Sequence, residues 1–196
     1  MKYISQLDYE HIVYHTNVKN DEVSEKDRIR NVALSGCGPC CVCMVVDSLT
    51  TNTLGVEECI AIAEECESNY GKGTDMRILA PLVAKKYNLG YLATDDINDV
   101  IVNLQKGAMA IANMSVQVGD TIGLFTKSGH YITLISTDGK DFCIFDPSYT
   151  PEKYDIPERK GRIDTSHAPF LYCDIETVSA ESTYKSTKYH IFWRKK

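Results

Sequence analysis

The segment that most constrains the fold is a long apolar run that opens on a cluster of cysteines. From Cys37 to Ser48 the sequence reads CGPCCVCMVVDS, in which Asp47 is the one charged residue. A helix on a protein surface shows a polar face, and this segment has almost none. The run therefore predicts a buried central helix. Pro39 suits its first turn, where a missing N–H costs no hydrogen bond.

The patterns that follow this helix run from further helices to strands. Helical periodicity is present in GVEECIAIAEECES, in GTDMRILAPLVAKKYNL with Thr74 as its N-cap, and in DDINDVIVNLQKG, which ends at Gly107. Short β-branched or aromatic runs come later: AMAIANM, HYITLIS, DFCIFD and KYHIFW. This order predicts a single α+β domain over residues 1–196, with a helical part over about 1–107 and a sheet part over about 108–196. The side chains expected to point inward from the second of these helices are Met76, Leu79, Leu82 and Val83.

The strongest local signal is a β-hairpin, HYITLISTDGKDFCIFD, whose turn contains Asp138-Gly139. A two-residue turn would pair Tyr131 with Asp146. A three-residue loop, with Gly139 in the left-handed region, would pair His130 with Asp146 instead. We expect the second register because it buries four apolar side chains on one face, placing Ile132 on Ile144 and Leu134 on Phe142.

Composition and charge exclude several classes of function. The net charge is −6 and the pI is about 5.4, with Lys and Arg scattered along the chain, which argues against a nucleic-acid partner. No apolar run is long enough to span a membrane, and the start of the chain does not have the pattern of a secretory signal. We therefore expect a cytoplasmic protein whose eight cysteines are reduced thiols.

The cysteine cluster has three interpretations. Cys37-Gly38-Pro39-Cys40 matches a thioredoxin-type dithiol, but the βαβ frame of that fold is not indicated around it. Cys37, Cys40 and Cys43 have the spacing of cluster or metal ligands but lack a fourth ligand, so we predict no metal and no cofactor. In the third interpretation, Cys37 alone is a nucleophile at a helix N-terminus, where the helix dipole favours the thiolate. The remaining cysteines of the cluster, Cys40, Cys41 and Cys43, are then core packing.

A nucleophilic thiol needs partners, and the sequence offers candidates for each role. His130 begins a strand and could act as general base, with Asp146 orienting its ring. The oxyanion of an acyl intermediate would be stabilised by the Cys37 backbone N–H and by the side-chain amide of Gln6. Three glycines would let a substrate backbone approach closely, and they are Gly36, Gly38 and Gly129.

These motifs, taken in order, resemble a known family. QLDY at Gln6, GCGP around Cys37, the pair Gly73-Thr74, GHYI around His130 and FDPS around Asp146 look like papain-clan cysteine peptidases related to the bacteriocin-processing (double-glycine leader) peptidases. The resemblance covers roughly residues 3–150. It implies a papain-like fold, in which an N-terminal helical half with a central buried helix packs on a C-terminal antiparallel β-sheet. It also implies Cys37 as nucleophile, His130 as base, Asp146 as orienting residue and Gln6 as oxyanion donor.

The function expected from this pattern is that of a cysteine peptidase. Cys37 would attack a peptide or amide bond and form a thioester, with a peptide or acyl compound as substrate. Three alternatives remain open at this stage. They are an acyl- or amidotransferase on the same fold, a dithiol oxidoreductase that uses Cys37 and Cys40, and a non-catalytic binding module.

Overall fold

The computed structural model describes residues 1–18, 24–114, 117–118, 121–127, 129–183 and 185–195. A short 3-10 helix (Gln6–Tyr9) comes first. The α-helices are α1 (Glu25–Arg28), α2 (Val32–Ser35), α3 (Cys37–Leu49), α4 (Val56–Glu65), α5 (Met76–Lys86), α6 (Ile97–Leu104), α7 (Pro151–Tyr154) and α8 (Ile175–Glu181). The strands are β1 (Val13–His15), β2 (Ile29–Asn31), β3 (Leu89–Thr94), β4 (Met109–Met114), β5 (Gln117–Val118), β6 (Thr121–Ile122), β7 (His130–Thr137), β8 (Asp141–Phe145), β9 (Asp164–His167), β10 (Phe170–Asp174) and β11 (Tyr189–Arg194).

Helix α3 is the buried central helix that the apolar run predicts. The side chains from Cys40 to Val46 are at most 1% exposed. The helix packs on β7 and on α4, and its neighbours include β4 and β11. Burying a single large apolar side chain stabilises a fold by about 1.5–3 kcal/mol, so this helix anchors the structure around it.

An antiparallel sheet carries the second half of the fold. Its strand order is β3-β11-β4-β7-β8-β10-β9, so the last strand of the chain lies between two earlier ones. Each face of the sheet is covered. One apolar cluster joins it to α3, α4 and α5, and another joins the opposite face to α6, α7 and α8. This arrangement confirms the α+β class and the packing of a helical half on an antiparallel sheet.

Strand β3 lies where the sequence indicated only helices. Leu89–Thr94 pairs along its whole length with β11, although it falls within the part of the chain expected to be helical. The boundary between helices and sheet at about residue 107 is therefore wrong. The physical reason is that β3 is made a strand by a partner almost one hundred residues later, which no local pattern reveals.

Helix α5 also differs from its prediction in two details. It begins at Met76 with Asp75 as its N-cap, whose side chain accepts a hydrogen bond from the Arg77 backbone N–H. The Thr74 hydroxyl instead shares a hydrogen bond with the Tyr14 hydroxyl at 2.7 Å. Leu82 is 39% exposed rather than inward.

The hairpin of β7 and β8 forms, but in neither predicted register. Thr133 pairs with Phe145 and Leu134 with Ile144, and a bulge then shifts the ladder so that Thr137 pairs with Phe142. The turn is longer than expected because the Asp138 side chain accepts hydrogen bonds from two following backbone N–H groups at 2.8 Å. Gly139 has the expected left-handed conformation, with φ of 92°.

None of the helices in the described part of the chain has the length and apolar character needed to cross a membrane.

Candidate active site

Cys37 is the first residue of α3 and is partly exposed at the wall of a cavity of about 570 Å³. The same cavity is lined by Gln6 and His130. These residues come from three separate elements: the 3-10 helix, the start of α3 and the start of β7. The fold therefore brings three of the candidate residues to one place.

His130 lies between the Cys37 thiol and a buried carboxylate. Its ring Nε2 is 2.6 Å from Asp146 Oδ1, and the Asp146 side chain is fully buried. The same ring lines the cavity with the Cys37 thiol, and each group shifts the pKa of the other. Since Nε2 donates to the carboxylate, Nδ1 remains for the sulfur. His130 thus connects the buried Asp146 carboxylate with the cavity that contains Cys37.

Asp146 is surrounded by donors that the sequence did not suggest. Its Oδ1 accepts from the Ser148 backbone N–H at 2.9 Å and from the Ser148 hydroxyl at 3.1 Å. Its Oδ2 accepts from Lys153 Nζ and from the Tyr154 hydroxyl, both at 2.5 Å. Lys153 and Tyr154 belong to α7, which begins with Thr150 as N-cap and Pro151 in its first turn. The pair Thr150-Pro151 is a recognisable helix start only four residues after Asp146. This pattern could have predicted that Lys153 and Tyr154 lie near the carboxylate.

The Cys37 thiol has a pKa below its usual value. Burial alone would raise this pKa, but the hydrogen bond with His130 and the charge of that ring lower it further than burial raises it. Backbone hydrogen bonds with Tyr131 and Gly38 act in the same direction. The pKa of His130 is raised in turn, because Asp146 and the Cys37 hydrogen bond outweigh burial and the repulsion of Lys153. A lowered thiol pKa and a raised imidazole pKa together favour a thiolate–imidazolium pair.

The Asp146 carboxyl stays ionised although it is buried. Burial would raise its pKa, but the charges and hydrogen bonds of Lys153 and His130 hold the pKa far below the ordinary range. Lys153 shows the opposite balance. Its burial lowers the pKa of the ammonium, and the attraction of Asp146 only partly offsets this.

Gln6 is 5% exposed and is held by both its backbone and its side chain. Its backbone N–H donates to the Pro147 carbonyl at 2.7 Å, and its Nε2 donates to the Ala33 carbonyl at 2.6 Å. The side-chain amide has a second N–H that this bond does not use. Gln6 therefore lines the same cavity as Cys37, with its orientation fixed.

The three candidate glycines differ in their surroundings. Gly129 lines the cavity and has a φ of 96°, a conformation that favours glycine. A Cβ on Gly36 would lie 2.4 Å from Val32 Cγ1, and one on Gly38 would lie 3.1 Å from Met76 Cε. These two glycines therefore allow close packing around the start of α3, and their contact with a substrate stays a prediction.

The other cysteines of the cluster are buried in the core. Cys40, Cys41 and Cys43 have no exposed surface, and burial raises the pKa of Cys40 and Cys41 well above the ordinary value. All strand pairs among the described residues are antiparallel, so the βαβ frame required by the dithiol alternative does not form there. Within the same residues no group of three His, Cys, Asp or Glu is arranged to hold a metal.

The structure is similar to the crystal structure of a protein described as a C39-like peptidase from Bacillus anthracis. The TM-score is 0.55 at 10% identity, and the alignment covers 100% of this chain and 99% of that chain. This chain has the fold of a C39-like peptidase. C39-like peptidases match the bacteriocin-processing type that the motifs resemble, so the resemblance is confirmed at the level of fold.

Further comparisons add little to this result. The peptidase domain of Streptococcus ComA, a bi-functional ABC transporter involved in a quorum sensing pathway, aligns over 94% of this chain and 98% of that chain. Its TM-score is 0.46 at 14% identity, too low to argue from. A scan against protein-family models and a search of curated proteins gave no match. At these identities the similarity concerns the fold, whereas an activity has to be argued from the residues of this chain.

Proposed function

We propose that this chain is a cysteine peptidase in which Cys37 is the nucleophile, His130 the general acid and base, and Asp146 the residue that orients the imidazole. The observation that carries the proposal is the 2.6 Å hydrogen bond between His130 and the buried Asp146 carboxylate, because this oriented ring lines the same cavity as Cys37 and lowers the pKa of its thiol. A thiol at a helix start, paired with an oriented imidazole, is the arrangement that nucleophilic catalysis by cysteine needs. The C39-like peptidase fold supports the same reaction class.

The first half of the reaction would form a thioester. The Cys37 thiolate attacks the carbonyl carbon of the scissile amide, and the carbonyl oxygen becomes an oxyanion. The Cys37 backbone N–H and the Gln6 side-chain amide are the donors proposed to stabilise it. His130 then gives its proton to the amide nitrogen, the C–N bond breaks, and the amine product leaves.

The second half would restore the free thiolate. A water molecule attacks the thioester carbon while His130 takes one of its protons. The bond between carbon and sulfur breaks, and the carboxylic acid product leaves. The net reaction is an amide plus water giving a carboxylic acid plus an amine, and no cofactor takes part.

Alkylation by iodoacetamide tests the thiolate–imidazolium pair. Because the pKa of Cys37 is lowered, we expect Cys37 to react at about pH 6, where an ordinary thiol is almost fully protonated. His130→Ala removes the charge and hydrogen bond that lower this pKa, leaving burial to raise it. The labelling rate at about pH 6 should then fall by about tenfold or more.

Cysteine variants control this measurement. Cys66 is the other partly exposed cysteine, so Cys66→Ala should leave labelling at mildly acidic pH unchanged, whereas Cys37→Ala should abolish it. An unchanged labelling rate in His130→Ala would contradict the pairing. Mass spectrometry of the labelled peptide identifies the modified residue.

Peptide cleavage tests the reaction itself. A library of mixed internally quenched peptides should gain fluorescence with the native chain and not with Cys37→Ala. Mass spectrometry of the products separates hydrolysis, which adds water, from transfer, which adds an amine present in the buffer. Amine adducts in place of hydrolysis products would favour the acyltransferase alternative. Labelling of Cys37 without turnover of any peptide would argue against a peptidase.

A further inference from the structure

The cavity that contains Cys37 is lined by basic residues, although the chain as a whole is acidic. The net charge of the chain is −6. Among the described residues that line the cavity, none is Asp or Glu, whereas six are Lys or Arg in addition to His130. These six are Arg30, Lys72, Lys127, Lys153, Arg159 and Lys185. Such a concentration of one sign in a concave site creates a local positive potential that the overall charge conceals.

Arg159 is the most informative of the six because it is both buried and charged. It is only 4% exposed. Its Nε donates to the Gly123 carbonyl at 3.0 Å and its Nη1 to the Lys153 carbonyl at 3.2 Å. Its Nη2 has no hydrogen-bond partner in the described structure. No carboxylate among the described residues forms an ion pair with it.

A buried guanidinium without a direct ion pair is costly, since ionised groups inside proteins are normally paired. The Glu181 carboxylate, on whose pKa Arg159 acts downward, is a more distant negative charge. The two carbonyl bonds fix the guanidinium plane, and Nη2 remains as an unused donor with almost no exposed surface of its own. Because Arg159 lines the cavity, its positive charge favours an anion there.

Lys127 and Lys185 provide two further positive charges around the same cavity. Neither ammonium group has an ion-pair or hydrogen-bond partner in the part of the chain that the structure describes. Lys185 Nζ lies 3.7 Å from the position that a Cβ would occupy on Gly129, the residue before His130. Lys185 is therefore close to the point at which a substrate would meet the imidazole.

We propose that this cavity selects acidic peptide segments, binding Asp or Glu side chains of the substrate with Arg159, Lys127 and Lys185. The inference rests on the proposed function, because it assigns the substrate class of the same site. Peptide carboxylates suit this set of donors. The fixed charge of the guanidinium attracts a carboxylate, and the flexible lysines can follow acidic side chains at different positions.

Binding can be measured without catalysis, which separates this inference from the proposed function. The probe is a fluorescein-labelled octapeptide pool with Glu at alternate positions, and its partner has Gln at those positions. Both are titrated against the Cys37→Ala chain by fluorescence anisotropy. We expect the Glu pool to bind about tenfold more tightly, because each hydrogen bond between charged groups adds to affinity. This ratio should shrink as the salt concentration rises from about 0.02 M to about 0.5 M.

Two variants locate the effect. Lys127→Gln/Lys185→Gln in the Cys37→Ala background should bring the two pools to within about twofold of each other. Arg159→Gln should also lower the ratio, and its circular dichroism spectrum checks that it is folded. A matched control, Lys85→Gln/Lys140→Gln, removes two exposed lysines outside the cavity and should leave the ratio unchanged.

The outcomes that overturn the inference differ from those that overturn the peptidase proposal. Equal binding of both pools, or an equal loss in the cavity and control double variants, refutes selection of acidic peptides even if the chain cleaves peptides. Preference for a phosphoserine pool over the Glu pool also overturns it, in favour of phosphate recognition. Selective binding of the Glu pool supports the inference even where no peptide is cleaved.

Discussion

Asp146 shows how a single carboxylate can organise a site. Five donors converge on its two oxygens: His130 Nε2, the Ser148 backbone N–H and hydroxyl, Lys153 Nζ and the Tyr154 hydroxyl. Its backbone carbonyl accepts another hydrogen bond, from the Tyr3 hydroxyl at 2.8 Å. Because both oxygens are held, the carboxylate cannot rotate away from the imidazole.

Lys153 is expected to set the pH range of the reaction. Its charge lowers the pKa of His130, and it favours the thiolate of Cys37. Lys153→Met should therefore raise the pKa of Cys37 and the pKa of His130. The first change moves the acid limb of the activity profile to higher pH, and the second moves the alkaline limb in the same direction. Measurement of kcat/KM against pH tests this. If Lys153 had a purely structural role, the variant would lower kcat/KM at every pH without shifting either limb of the profile.

The same variant should also destabilise the fold, because it leaves a buried carboxylate with one cation fewer. The expected loss is about 3 kcal/mol in the free energy of unfolding. Lys160→Met is the matched control, since Lys160 pairs with Asp155 at the surface, where both side chains are 70% exposed. That control should leave the free energy of unfolding and the pH profile almost unchanged, because solvent screens an exposed ion pair.

Gln6 offers a test of oxyanion stabilisation. Gln6→Ala should lower kcat by roughly a hundredfold to a thousandfold with little change in KM, because the amide would act on the intermediate rather than on the bound substrate. The rate of Cys37 alkylation at mildly acidic pH should stay the same, since Gln6 does not contribute to the lowered thiol pKa. A slower alkylation would indicate instead that the variant disturbs the start of α3.

The residues of the proposed triad could be predicted from the sequence, whereas the roles of the charged residues around them, Lys153 and Arg159, could not. Cys37 was identifiable because a glycine-flanked thiol at the head of an apolar helix is a local pattern. Lys153 and Arg159 were not, because their roles depend on how α7 and the segment after it fold back beside β8. A lysine on a short polar segment has no local sign of burial.

At the level of elements, the hairpin of β7 and β8 shows why a wrong register can still place side chains on the expected face of the sheet. The observed pairing of Leu134 with Ile144 differs by two residues from the predicted pairing of Leu134 with Phe142. Side chains alternate between the faces of a sheet with a period of two, so in the part of the ladder before the bulge a shift of two leaves each side chain on its expected face. Asp146 therefore still meets His130, and the four apolar residues are still buried together.

The pairing of β3 with β11 depends on a glycine. Gly90 lies opposite Trp193, and a Cβ on Gly90 would lie 2.0 Å from Trp193 Cε2. We expect Gly90→Ala to lower the free energy of unfolding by about 1–3 kcal/mol, because the indole must leave its position. Trp193 is the single tryptophan of the chain, so its fluorescence emission should also change.

A second glycine variant serves as the control. A Cβ on Gly73 would meet nothing within 4 Å, so Gly73→Ala should leave both stability and emission close to those of the native chain. Equal stability of the two variants in urea would show that the indole does not lie over Gly90.

At the scale of the whole molecule, the sheet depends on the end of the chain. Strand β11 hydrogen-bonds with β3 on one side and with β4 on the other. We expect a chain that ends at Lys188 to lose cooperative unfolding. Without β11, strand β3 separates from the sheet and the apolar face of α5 becomes exposed. A chain that lacks only residues 195–196 is the control. Urea unfolding followed by circular dichroism distinguishes the two.

This position of β11 also affects when the protein could first become active during its synthesis. The ribosome releases Gln6 and Cys37 early, yet the Gln6 backbone N–H has to wait for the Pro147 carbonyl. The sheet that carries His130 is completed only when the last strand enters between β3 and β4. A nascent chain whose β11 has not yet left the ribosome would therefore carry an exposed thiol without its working partners. We expect such a chain to be inert towards neighbouring nascent polypeptides until β11 joins the sheet.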